Sequence, residues 1–196
     1  MYSLPEALFI TTIISIISYA ILLVIKLKKH KRLNFDRELF LFCFIFVFSF
    51  IISMTIIPKI EISPDNSLSI LKPYSHSNRI NLIPFAFIKE IKFSLENGLY
   101  YNILFNFIGN IIPFSALSFL CALLFNKYVN LKNILLLGFS FSLMIELLQI
   151  PLYRGCDIDD LILNILGYAF GYLLSKIIIT NYQLFINKIK EEGQNQ

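Results

Sequence analysis

In the stretch RGCDIDDLILNILGYAFGY, Arg154 to Tyr172, one arginine and three aspartates stand at the mouth of an apolar run that also carries Asn164. Asp157, Asp159 and Asp160 are spaced closely enough to share a proton in acid–base chemistry or to offer hard oxygen ligands to a divalent cation such as Mg²⁺ or Ca²⁺. Just upstream lie Glu146 and Gln149. Glu146 interrupts an apolar run, and an ionised carboxylate at the centre of a membrane helix costs roughly 2.5–3.5 kcal/mol, so it needs a partner or a proton. Arg154 and Arg79 are the candidate partners, and either could instead hold an anionic head group. Plainer readings compete. Asp157 can cap the following helix, Asp160 can sit in its first turn against the positive end of the dipole, and Glu146 with an arginine can be a structural strut. A metal site needs several converging ligands, and one D-x-D-D run is a weak signal for it.

The elements that must position these residues are membrane spans. Of 196 residues, 57% are apolar and 15% charged, and the mean hydropathy is +0.70. A helix needs about 20 apolar residues to cross a bilayer core. Five runs meet or approach that length: 7–25, 39–57, 99–125, 133–150 and 158–180. A soluble chain of this size cannot hide five helices that are apolar on every face. The expected architecture is a single all-α polytopic membrane domain over residues 1–196. Met1 to Glu6 carries no basic residue, so the first run reads as an anchor rather than a cleaved signal. The dense cluster Lys26, Lys28, Lys29, Lys31, Arg32 and Arg37 follows it, and basic residues near span ends stay inside. The N-terminus is therefore expected outside, the C-terminus inside, and the polar residues of spans four and five at the outer face. The basic cluster reads as an orientation signal, not as a nucleic-acid site.

Ordinary soluble chemistries find no support. Cys43, Cys121 and Cys156 form no CxxC, and His30 and His76 lack the spacing of a helical zinc motif. There is no P-loop, GxSxG or GxGxxG, and no internal repeat of the kind common in secondary carriers. Asn102, Asn106 and Asn110 recur every four residues, as do Asp160 and Asn164, so two helices carry polar stripes that should face protein. Phe87, Ile88, Ile91 and Leu95 alternate at helical spacing with Lys89, Glu90, Lys92 and Glu96, which suits an amphipathic helix at the outer interface, begun by Pro84. Gly167 and Gly171 make a small-xxx-small face for close helix packing, and residues 60–77 read as an irregular loop or short hairpin.

RINLIPF at Arg79 to Phe85, NFIGNIIPF at Asn106 to Phe114, and IELLQIPLYRGCDIDDLILNILGYAFGY at Ile145 to Tyr172 together resemble the VanZ-like family over about residues 79–172. The resemblance implies a small polytopic protein of the bacterial cytoplasmic membrane, of a family whose prototype is associated with low-level teicoplanin resistance. By position, the signature residues it implies here are Asn81, Pro84, Phe85, Asn106, Asn110, Glu146, Gln149, Arg154, Asp157, Asp159, Asp160, Asn164 and Gly167. One departure is visible: the family's middle motif continues to a Pro-x-Gly turn, whereas this chain has Pro113 early and Ser118 near the usual glycine.

Three functions follow. The first is an envelope protein whose outer polar site engages a lipid-linked or wall-associated molecule and lowers glycopeptide susceptibility. The second is an intramembrane enzyme on a lipid-linked substrate, with Glu146, Asp157, Asp159 and Asp160 as catalytic carboxylates, a divalent cation as the candidate cofactor, and Arg154 or Arg79 on an anionic head group. In either, Asn81, Asn106, Asn110, Gln149 and Asn164 are the candidate ligand-binding amides. The third is a scaffold or transporter component.

Overall fold

Apolar runs too long for a soluble core become helices whose side chains are largely left uncovered by protein. The computed structural model describes residues 4–31, 33–57, 60–62, 68–70, 80–103, 107–125, 130–152 and 154–181. Helix α1 (Leu4–Lys28) and helix α2 (Phe35–Thr55) pack antiparallel: Lys26 pairs with Glu38 at one end, and the hydroxyls of Thr11 and Ser53 lie 2.8 Å apart toward the other. Asn34 caps α2 by accepting the Arg37 amide, with Asp36 and Glu38 in the first turn where the dipole favours them. Tyr19 also donates to Glu38, so this buried carboxylate joins the two helices.

Helix α3 (Ala86–Glu96) is the expected amphipathic helix, and α4 (Tyr100–Ile103) follows it. Helix α5 (Gly109–Leu124), α6 (Leu131–Gln149) and α7 (Ile158–Asn181) complete the chain's helices among the described residues. A 3₁₀ turn, Ile150–Leu152 with Pro151 at its middle, extends α6. Helices α1, α2, α6 with its extension, and α7 are each long and apolar enough to cross a membrane. Two small strand pairs accompany them. Strand β1 (Ile60–Ile62) pairs antiparallel with β2 (Leu68–Ile70), and β3 (Ile80–Asn81) pairs parallel with β4 (Cys156–Asp157).

In the run at 99–125, residues 104–106 lie outside the described residues, with α4 before them and α5 after. Its described helix α5 has 16 residues, about 24 Å at 1.5 Å each. Pro113 lies inside α5, lacks the amide that would bond the Gly109 carbonyl, and crowds it; a wider π-type turn at Phe107–Ile108 stands just before. Beyond Pro113 the helix runs unbroken through Ser118, whose hydroxyl donates to the Tyr168 carbonyl at 2.6 Å. The serine in the glycine's place is thus tied to α7 rather than marking a bend.

Helix α5 is the centre of the bundle. Phe114, Leu117 and Cys121 from α5 meet Ile51 of α2, Ile134, Phe141 and Ile145 of α6, and Tyr168 and Tyr172 of α7. The α5–α7 contact is the most extensive of all, because Gly167 and Gly171 let the backbones touch. By contrast α1 leaves Phe9, Ile16, Ile17 and Ile21 more than half exposed, a face suited to lipid.

Candidate functional site

The turn between α6 and α7 builds the site. Its first closure is the Arg154 amide donating to the Gln149 carbonyl at 3.1 Å, which bends the chain back over the end of α6. Asp157 then caps α7, its Oδ1 accepting the Asp159 amide at 2.8 Å, as an N-cap aspartate does. The same carboxylate receives the Asn81 amide group at 3.1 and 3.2 Å, so β3 is fastened to β4 by side chain as well as by backbone.

Asp159 reaches the other way. Its two oxygens accept the backbone amides of Phe85 at 2.6 Å and Phe87 at 2.8 Å. Helix α3 has no side-chain cap of its own, and Phe85 enters it in the left-handed region at φ 65°. A carboxylate in the first turn of α7 therefore caps α3, and the positive ends of both helices meet on it. Asp160 accepts from Asn110 of α5. One turn further along α7, Asn164 donates to Ser142 of α6 at 2.9 Å, while its Oδ1 is buried and accepts nothing.

Glu146 and Arg154 do not face each other as the sequence suggests. Glu146 accepts the Asp157 amide at 2.9 Å, and Arg154 donates through Nη2 to the Met54 carbonyl at 2.9 Å. Gln149 donates to the neighbouring Thr55 carbonyl at 3.2 Å. The last carbonyls of α2 have no intrahelical donors and carry the negative end of its dipole, and α2 has no basic residue in its own last turn. Arg154 satisfies that end of α2.

These groups enclose a chamber of about 700 Å³ between α3, α5, α6 and α7. Glu146, Gln149, Arg154, Asp157, Asp159, Asp160, Asn110 and Asn164 all line it. Asn81 holds Asp157 in place from outside the lining. Arg79 and Asn106 lie outside the described residues, and the Asn102 side chain is likewise outside them. Sequence reasoning missed Lys89 and Glu90, which it placed on a solvated face and which line the chamber, and Ser142, the partner of Asn164. Lys89 and Glu90 carried a usable signal, since an amphipathic helix next to a polar site can turn its charges toward that site.

Among the described residues, no three His, Cys, Asp or Glu side chains are grouped to hold a metal ion. The aspartates instead take N–H donors from the protein, and the chamber's chemistry is that of hydrogen-bond acceptors and charges. Cys156 stands beside it, half-buried, and burial raises its thiol pKa, with the Glu146 carboxylate raising it further. The chamber lies by the C-terminal end of α2, the length of that helix away from the turn that joins α1 to α2.

A family model described as VanZ/LLP1 matches residues 39–179, which takes in most of α2 and nearly all of α7. No curated protein and no solved structure matches the chain.

Proposed function

The chain belongs to the VanZ/LLP1 family, and from that premise we propose that it is a multi-pass protein of the bacterial cytoplasmic membrane whose chamber opens at the outer face. There it engages the polar head of an envelope lipid or a wall-associated molecule and lowers susceptibility to glycopeptides such as teicoplanin. One observation carries this reading: a 700 Å³ space lined by carboxylates, amides and cations at the end of a bundle of apolar helices. Such a space suits an amphiphile whose tail stays in lipid while its head finds hydrogen bonds. The placement outside is supported by the basic cluster between α1 and α2, at the far end of α2 from the chamber.

Glu146→Gln tests the site without emptying it, because glutamine keeps an oxygen for the Asp157 amide while removing the charge. In a teicoplanin-susceptible host, the parent protein should raise the inhibitory concentration, and the variant at equal membrane abundance should return it to baseline. Resistance that survives the substitution would sink the chamber as the seat of function. An enzymatic reading has one observation of its own, the Glu146 and Asp160 carboxylates on one chamber. It requires that radiolabelled lipid recovered from expressing cells be chemically altered; unaltered lipid leaves the binding reading alone.

The orientation is tested through Cys156. With Cys43 and Cys121 replaced, a membrane-impermeant maleimide should label Cys156 in intact cells. Since burial and Glu146 both disfavour its thiolate, labelling should be slow at neutral pH and quicken well above the usual thiol range of about 8.5. Glu146→Gln should speed it at fixed pH. Labelling that appears only in opened cells would reverse the topology.

A further inference from the structure

Two hydrogen-bond ladders run side by side into the chamber. Asp160 and Asn164 lie one turn apart on α7, and Glu146 and Ser142 lie one turn apart on α6. The bond from Asn164 to Ser142 joins the two helices at the deeper rung, 2.9 Å long. Glu146 and Asp160 are each one turn nearer the mouth, so the two carboxylates occupy the rung above and line the same chamber. At the bottom, Asn164 is 3% exposed and its Oδ1 accepts no hydrogen bond. A buried carbonyl oxygen without a donor is costly, and it is rare in a finished structure.

The chamber's charge points the same way. Its described lining carries five carboxylates and two basic side chains, Lys89 and Arg154. Arg154 stands at the α2 carbonyls, so the deep part of the chamber is acceptor-rich and negative. An anionic head group alone would meet repulsion there. A hydroxyl would supply a donor to Asn164 but leave the charge uncompensated.

We propose that the chamber seats a protonated primary amine, its ammonium placed between Asn164 Oδ1 and the carboxylates of Glu146 and Asp160. This rests on the head-group reading above and names the chemistry of the head. An ammonium carries three donors and no acceptor, which matches three acceptor groups, and its charge offsets two carboxylates that lie within apolar helices. Such an amine can belong to an aminophospholipid or to an amino sugar of the wall.

Native mass spectrometry of the purified full chain in detergent separates these sources and tests the class. Phosphatidylethanolamine, phosphatidylcholine and phosphatidylglycerol with identical acyl chains are offered in competition. The ethanolamine lipid should be retained at least about tenfold over the choline lipid, which has the charge but no N–H donor. Asn164→Leu should erase that preference, and Asn164→Asp, which keeps the acceptor and adds charge, should keep it. Should the leucine variant fail to fold, Asp160→Asn serves instead: it can still accept from Asn110 and should weaken the preference. Displacement of the bound lipid by free glucosamine would support the amine class and extend it to wall amines; retention against glucosamine supports it for lipids. Equal or better retention of the choline or glycerol lipid overturns the ammonium assignment. If that retention still falls in Asn164→Leu, the head-group reading stands without it. If neither lipid nor glucosamine is held in an Asn164-dependent way, both readings fall together.

Discussion

Gly171→Val is expected to abolish folded protein, and Gly171→Ala to reduce it severely. A Cβ at Gly171 would lie 2.0 Å from the Ser115 carbonyl oxygen and 2.8 Å from its carbon, both backbone atoms of α5. No rotamer change relieves a clash with backbone, so the two helices must move apart. In a membrane their association rests on close van der Waals packing, since lipid is as apolar as the side chains and no solvent drives them together. Separation also breaks the Ser118 to Tyr168 bond and opens the core around Phe114 and Leu117. In an exposed helix, glycine to alanine gains about 1 kcal/mol of propensity, so any loss means that the clash outweighs it. Overpacking a well-filled core costs about 1–3 kcal/mol, and a rigid backbone contact belongs at or above the upper end. Gly167→Ala should follow the same direction more mildly, its nearest atom being the Ile111 carbonyl oxygen at 2.6 Å. Gly155→Ala is the control, with nothing within 4 Å. Membrane abundance and thermal unfolding in detergent measure all four. Normal abundance and melting of Gly171→Ala would show that α5 and α7 do not pack as described.

That contact was legible in advance because small residues four apart on an apolar helix have one structural use that outweighs the rest. The Asp157 cap and the shared face of Asp160 and Asn164 were legible for the same reason: each follows from local geometry within a turn or two of helix. The amphipathic pattern of 86–96 also gave its helix directly, though not the left-handed entry at Phe85. What sequence could not supply is the partner of a side chain when that partner is backbone. Arg154 and Gln149 meet the carbonyls of Met54 and Thr55, about a hundred residues upstream, and every residue has a carbonyl. A charge rule therefore matched Arg154 to Glu146, the carboxylate inside the preceding apolar run.

Asp159 is the residue for which this distinction has the largest consequence. Among three neighbouring aspartates, a reading by charge treats them as equivalent ligands; the structure gives each a different task. Asp159 is 4% exposed, and its carboxylate is the only described cap of α3, 72 and 74 residues away in sequence. Asp159→Ala leaves two amides without acceptors, each costing about 1–3 kcal/mol, so about 2–6 in all against a typical total stability of 5–15. Asp159→Asn is scarcely better. One amide keeps an oxygen, the other meets an NH₂ group, and the charge at two converging helix ends is lost. Asp157→Asn should be far milder, because asparagine caps nearly as well and keeps one oxygen for Asn81. The unlatching should be local before it is global, since α3 touches the bundle chiefly through the site. Limited trypsin digestion of spheroplasts should then cut after Lys89 and Lys92 much faster in Asp159→Asn than in Asp157→Asn or the parent. If the two asparagine variants were equally resistant and equally abundant, Asp159 would not be holding α3.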